Sequence, residues 1–235
     1  MHEIGWLWVC GPMHYIAIQP PPNPLLEKVG ELTPALVVLH GYGTDEHDLL
    51  PLAEKIGVGY LVISLQGPIE LNNGGHSWYD LAQTPSGIIP DDFSRHQSED
   101  ILLAALPRII ADEGGDPQRV VLMGFSQGAA MIYSLLISYN LKNYGITPIA
   151  SINASGYIPR DVVGMVSEKR FDNFTFFITH GEYDDLVPAQ ALTEAAELLT
   201  AQGAKVTTRM QNCGHGVLPE TVEEIQAWLK NLKVT

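Results

Sequence analysis

Apolar, β-branched-rich runs recur along the chain, and helix-forming stretches lie between most of them. The runs are ALVVLH (35–40), YLVISLQG (60–67), RVVLMGF (119–125), PIASINAS (148–155) and FTFFITHG (174–181), with KVTTRMQ (205–211) as a further strand. A strand that is apolar on both sides is covered on both faces, so such runs read as a mainly parallel sheet. Parallel neighbours need crossovers, and helices supply them. The spacing predicts helices over EHDLLPLAEKIG (46–57), SEDILLAALPRIIADEG (98–114), QGAAMIYSLLISYN (127–140), PAQALTEAAELLTAQG (188–203) and PETVEEIQAWLKNL (219–232). Ser98 is placed to cap the second of these, with Glu99 and Asp100 in its first turn and Pro107 as a kink. The expected fold class is α/β, with helices on both faces of the sheet and no large lid domain.

The N-terminal part differs. MHYIAIQ alternates apolar and polar residues, as an antiparallel edge strand does, and QPPPNP (19–24) follows as a polyproline-like connector. Residues 1–30 are therefore read as a strand region and Pro-rich connector at the head of a single domain over 1–235. The longest irregular stretch is 66–97, where Asp91 and Asp92 read as a solvated loop.

Charge excludes several partners. Lys and Arg number 13 against 27 Asp and Glu, a net charge of −14 that repels nucleic acid and strongly anionic membranes. The two cysteines, Cys10 and Cys213, are too few for a disulfide framework and form no zinc-type pair, so a reducing, cytoplasmic location is expected. The apolar run at residues 4–10 is too short to span a bilayer and follows Glu3 rather than a basic segment, so neither a signal peptide nor an integral membrane segment is expected.

In a parallel α/β sheet, ligands bind at the carboxyl ends of the strands. The polar residues standing there are His40 with GYGTDE, Ser126, Ser155, His180 with GEYDD, and His215 within NCGHG. GFSQG, residues 124–128, matches a G-x-S-x-G pattern between a strand and a helix. A sharp turn there strains the serine backbone, presents its hydroxyl and aims helix N–H groups at the same point, while Gly124 and Gly128 leave room for the turn. The serine needs a base, and this topology orders the partners Ser, then acid, then His. His180 precedes the acidic cluster and reads as a buried strand-end histidine bracing the turn; His215 fits the order as base. Asp184 or Asp185 is the orienting acid, and the backbone amides of Tyr42 and Gln127 are the oxyanion donors. Cys213 lacks such a turn and reads as an unreactive thiol, and His76 as a loop histidine that either faces solvent or meets substrate. No His–carboxylate spacing points to a metal, and no cofactor is implied.

LHGYGTDEHDLL, HSWYDL, DPQRVVLMGFSQGAAM, NASGYIP, HGEYDDLVP and CGHGV, taken in that order, resemble the phospholipase/carboxylesterase branch of the α/β-hydrolases, which includes acyl-protein thioesterases. The resemblance spans about residues 35–231. It implies Ser126 as nucleophile, Asp184 as acid and His215 as base, oxyanion amides at Tyr42 and Gln127, and Trp78 of SWYDL lining the acyl pocket. One departure is Asp185, where the family usually has proline. The expected activity is serine carboxylesterase on short- to medium-chain esters through an acyl-enzyme, by a monomer or homodimer acting on small molecules. Lysophospholipase or acyl-protein thioesterase activity is the alternative on the same triad. A catalytically silent binding protein of the same fold is the alternative from another class.

Overall fold

The computed structural model describes residues 13–21, 31–84 and 87–232; the apolar run at 4–10 and the second half of the Pro-rich connector, 22–24, lie outside them. Seven strands form one sheet: β1 (Tyr15–Ile18), β2 (Thr33–Leu39), β3 (Leu61–Leu65), β8 (Gly115–Phe125), β9 (Pro148–Ala154), β10 (Thr175–Gly181) and β11 (Lys205–Gln211). Their spatial order is β1-β3-β2-β8-β9-β10-β11. Every pairing is parallel except β1 with β3, which is antiparallel at the edge. This is the α/β architecture that the continuous apolar runs require.

The strands bury both faces because their side chains alternate. Ala35, Val37 and Leu39 of β2 join one core layer, with Leu36 and Val38 in the other. Helices α2 (Asp92–Asp112), α3 (Gln127–Ser138) and α5 (Gln190–Ala201) cover the first face. Helices α1 (Leu50–Ile56) and α6 (Pro219–Asn231) cover the second. Each fully buried Val, Leu or Ile contributes roughly 1.5–3 kcal/mol of transfer free energy, so the two layers together anchor the sheet that carries the site. No helix among the described residues is long and apolar enough to cross a membrane.

Three local expectations change. Helix α2 begins at Asp92, six residues before Ser98, because Asp91 caps it: its carboxylate accepts the Ser94 N–H at 2.8 Å. Asp91 and Asp92 are thus a helix start rather than a solvated loop, and Ser98 is buried inside the helix. Helix α1 begins only at Leu50, with Pro51 in its first turn, where a missing N–H costs nothing. The stretch read as irregular holds two small antiparallel pairs, β4 (Ile69–Glu70) with β5 (His76–Ser77) and β6 (Leu81–Thr84) with β7 (Gly87–Pro90). Two-residue strands rich in Gly and Asn turns carry too little periodicity to be read from sequence.

The segment after β9 folds into the short helix α4 (Arg160–Val163). A buried charge network ties it to α2. The wholly buried Arg95 guanidinium of α2 donates to Glu99, to Asp161 of α4 and to the Ser134 hydroxyl of α3. Glu99 also receives the Tyr139 hydroxyl at 3.1 Å and faces His96 Nδ1 at 2.9 Å.

Candidate active site

Strand β8 is the middle strand of the sheet, and its carboxyl end delivers Ser126 to the head of α3. Ser126 holds φ 52° and ψ −114°, a left-handed backbone that side chains other than glycine rarely adopt. The turn is pinned on both sides: the Ser126 N–H donates to Ala154 O at 2.8 Å, and its carbonyl accepts from Ala130 N–H at 3.1 Å. The flanking glycines are sterically necessary. A Cβ at Gly128 would lie 2.2 Å from Leu39 O, and one at Gly124 would lie 2.5 Å from Ala129 N. Helix α3 can therefore turn back on β8 and lie against the end of β2 only without those side chains.

The end of β2 sets a second element beside the serine. A Cβ on Gly41 would stand 3.6 Å from Ser126 Cβ, so the HGYG loop runs directly past the elbow. His40 fixes that loop. Its Nε2 accepts the Gly67 N–H at 2.9 Å, which leaves the ring proton on Nδ1, 2.6 Å from Gly41 O. The Thr44 hydroxyl donates to the same carbonyl at 3.1 Å. Burial lowers the His40 pKa and keeps this neutral tautomer, despite the opposing pull of the Gly41 carbonyl. A trans peptide sets its N–H opposite its C=O, so gripping the Gly41 carbonyl turns the Tyr42 N–H the other way. Among the described residues, neither the Tyr42 N–H nor the Gln127 N–H donates to any group.

Gln127 also contributes through its side chain. Its Oε1 accepts the Trp78 N–H at 2.8 Å and its Nε2 donates to Tyr79 O at 2.7 Å. Trp78, expected to line the pocket, is instead wholly buried. Its indole N–H donates to His40 O at 2.9 Å and its ring packs on His40 at 5.3 Å. A buried indole needs an acceptor, and the strand end supplies one; the SWYDL block thus braces the HGYG loop and the elbow together. His76 joins the same brace, with Nδ1 3.1 Å from Gly67 O. Sequence gave no sign of these links, because they join residues about forty to fifty apart that carry no shared periodicity.

The residues expected as acid and base stand on the loops after β10 and β11. His215 Nδ1 donates to Asp184 Oδ2 at 2.7 Å, while Asp185 is exposed. The other oxygen, Oδ1, accepts the N–H groups of Leu186 and Val187, each at 2.9 Å. Burial alone would raise the Asp184 carboxyl, but donors on Val187, His215 and Leu186 outweigh it and hold the group below its ordinary value.

Strand β11 lies three positions from β8, about 14 Å away at ~4.8 Å per strand. The loop after β11 closes that gap by folding back across the sheet edge. It crosses Gly181 so closely that a Cβ there would lie 2.0 Å from Gly214 O. It carries the His215 ring to 4.9 Å from Phe125, the residue before Ser126. Cys213 on this loop has its thiol pKa raised, by burial first and then by Asp184 and Glu220, which disfavours the nucleophilic thiolate. Asp45, Glu46 and His47 bring one ligand atom each within 4.8 Å, but Glu46 already accepts from Gln66 Nε2 at 2.7 Å.

The chain has known relatives. The sequence profile of the Phospholipase/Carboxylesterase family matches residues 25–233. Acyl-protein thioesterase 1 of Gibberella zeae is 28% identical over 214 residues, covering 84% of this chain and 90% of that protein. The putative hydrolase MhqD of Bacillus subtilis is 26% identical over 204 residues, covering 83% and 92%. Among solved structures, the Bacillus cereus carboxylesterase superposes with a TM-score of 0.76 at 25% identity, covering 93% of each chain. Esterase PE8 superposes with a TM-score of 0.74 at 22% identity over 94% of this chain, a likeness of fold. With an α/β-hydrolase sheet and a match over nearly its whole length, this chain belongs to the phospholipase/carboxylesterase family.

Proposed function

We propose that this carboxylic ester hydrolase is a serine carboxylesterase acting on short- to medium-chain esters. Ser126 Oγ attacks the ester carbonyl and passes its proton to His215 Nε2. Asp184 holds the imidazole with its Nδ1–H engaged at 2.7 Å, which leaves Nε2 as the proton acceptor. The Tyr42 and Gln127 amides receive the oxyanion as the carbonyl oxygen takes up charge. Collapse expels the alcohol, protonated by His215, and leaves an acyl-enzyme. Water, deprotonated by the same imidazole, then releases the carboxylic acid.

The observation that carries this reading is the strained backbone of Ser126, φ 52°, next in sequence to Phe125, whose ring meets a histidine anchored on a buried carboxylate. A turn strained at a polar residue costs of order 1–3 kcal/mol and persists where the geometry serves a function. A silent binding module would have no use for it. The test is turnover of p-nitrophenyl acetate and butyrate by the wild type and Ser126→Ala. Loss of turnover in the variant is expected, and equal slow rates in both would overturn the assignment.

A second reading keeps the triad and changes the substrate to a lysophospholipid or a fatty-acyl thioester on a protein. It draws support from relatives named acyl-protein thioesterase. A panel of oxygen esters and thioesters graded by chain length separates the two: a rate maximum on long-chain thioesters would favour the second.

A further inference from the structure

We infer that His180 is a positioning residue for Asp184, a second imidazole whose Nε2–H holds the Val187 carbonyl and stands against the oxygen that His215 uses. This rests on the triad reading above and extends it by one residue.

His180 is the penultimate residue of β10, four before Asp184, and is wholly buried. Its Nε2 lies 3.0 Å from Val187 O and 3.1 Å from Asp184 Oδ2. A carbonyl and a carboxylate only accept hydrogen bonds. The ring proton therefore sits on Nε2, donated to Val187 O with Asp184 Oδ2 close beside it, and Nδ1 keeps the lone pair. Nδ1 has no partner among the described residues, so nothing there competes for a different tautomer.

The consequence falls on Asp184. Oδ2 takes the N–H of His215 and has the second imidazole 3.1 Å away, and Oδ1 takes the amides of Leu186 and Val187. Three donors and the flanking His180 ring thus surround the carboxylate. Val187 closes the circuit, since its N–H holds Oδ1 while its C=O holds His180. The carboxylate plane cannot turn without breaking one of these contacts. Oδ2 thus stays aimed at His215 while that ring gains and loses a proton in each turnover. A histidine that merely filled the core would need only the Val187 carbonyl; the contact with Oδ2 is what connects it to catalysis.

Two variants separate the roles. His180→Gln keeps an N–H donor near the Nε2 position, whereas His180→Leu keeps the bulk and loses the donor. Rates are measured on p-nitrophenyl butyrate, with folded sites counted by a serine-directed phosphonate. His180→Leu is expected to lower kcat about tenfold to a hundredfold, the loss of the hydrogen bond to Val187 together with the polar contact to the buried carboxylate, with KM within about twofold. His180→Gln is expected to restore most of kcat. Equal kcat in the two variants, whether high or low, overturns the inference. A measurement on the wild type guards against misfolding of His180→Leu: nitrogen-15 NMR of the histidine rings must show His180 protonated at Nε2, and an Nδ1–H form sinks the inference. Asp184→Asn distinguishes this failure from that of the triad. Full activity in Asp184→Asn would overturn the triad itself, while an inactive Asp184→Asn beside a fully active His180→Leu would overturn only the role of His180.

Discussion

The Phe125 and His215 rings pack at 4.9 Å although ninety residues and three strand positions separate them. The contact brings the loop after β11 home to the elbow on β8. Both flanks of that contact, the Asp184 loop and the HGYG loop, are held by buried histidines.

The acid is one of two adjacent aspartates, and only one faces the base. Asp184→Asn is expected to lower kcat by about 10⁴, the cost of losing the carboxylate that sets the imidazole tautomer. Asp185→Asn, at an exposed position, is expected to stay within about threefold of wild type. Steady-state kinetics of the two variants checks this, and the reverse order would move the acid by one residue.

The oxyanion loop depends on how the Gly41 carbonyl is held. Thr44→Val removes one donor to that carbonyl and is expected to lower kcat by about fivefold, the worth of a neutral hydrogen bond. His40→Ala removes the other and frees the peptide plane, with an expected loss approaching the 10²–10³ typical of a missing oxyanion donor. KM should change little in either, because the loss is confined to the transition state.

Asp184 also makes stability depend on pH. Its folded carboxyl lies below its ordinary value, so its stabilising contribution is complete above the unfolded value. That contribution is lost as pH falls through the carboxylate range to the folded value. The difference in melting temperature between wild type and Asp184→Asn should therefore be constant near neutrality and close in acid. Thermal melts across pH check this, and a gap that widened in acid would contradict it.

The Arg95 network predicts a stability effect away from the catalytic groups. Arg95→Met leaves Glu99, wholly buried, without its guanidinium partner. Uncompensated buried charges of this kind cost about 3–5 kcal/mol. Adding Glu99→Gln removes the stranded charge and should recover most of that loss. Urea unfolding of the single and double variants measures both.

Much of the architecture was legible in the chain. ALVVLH, RVVLMGF and FTFFITHG are apolar on both sides, which only a doubly covered sheet satisfies, and the sheet is of that kind. The start of α2 was misread because Asp91 caps through its side chain, and an aspartate beside a second aspartate looks the same in a loop. The hairpins at 69–90 were missed because paired strands of two to four residues leave almost no periodic trace.

At the site, the kinds of group and their order can be read along the chain: a serine between glycines, then adjacent aspartates, then a glycine-flanked histidine. Strand-end position and chain order are local properties, so they survive in one dimension. Which aspartate meets His215, that Trp78 is a buried brace, and that His40 and His180 each hold a loop in one tautomer follow from the folded packing alone. Those outcomes depend on donors and acceptors that meet within about 3 Å across loops distant in sequence, and such contacts exist only once the sheet has set its strands side by side.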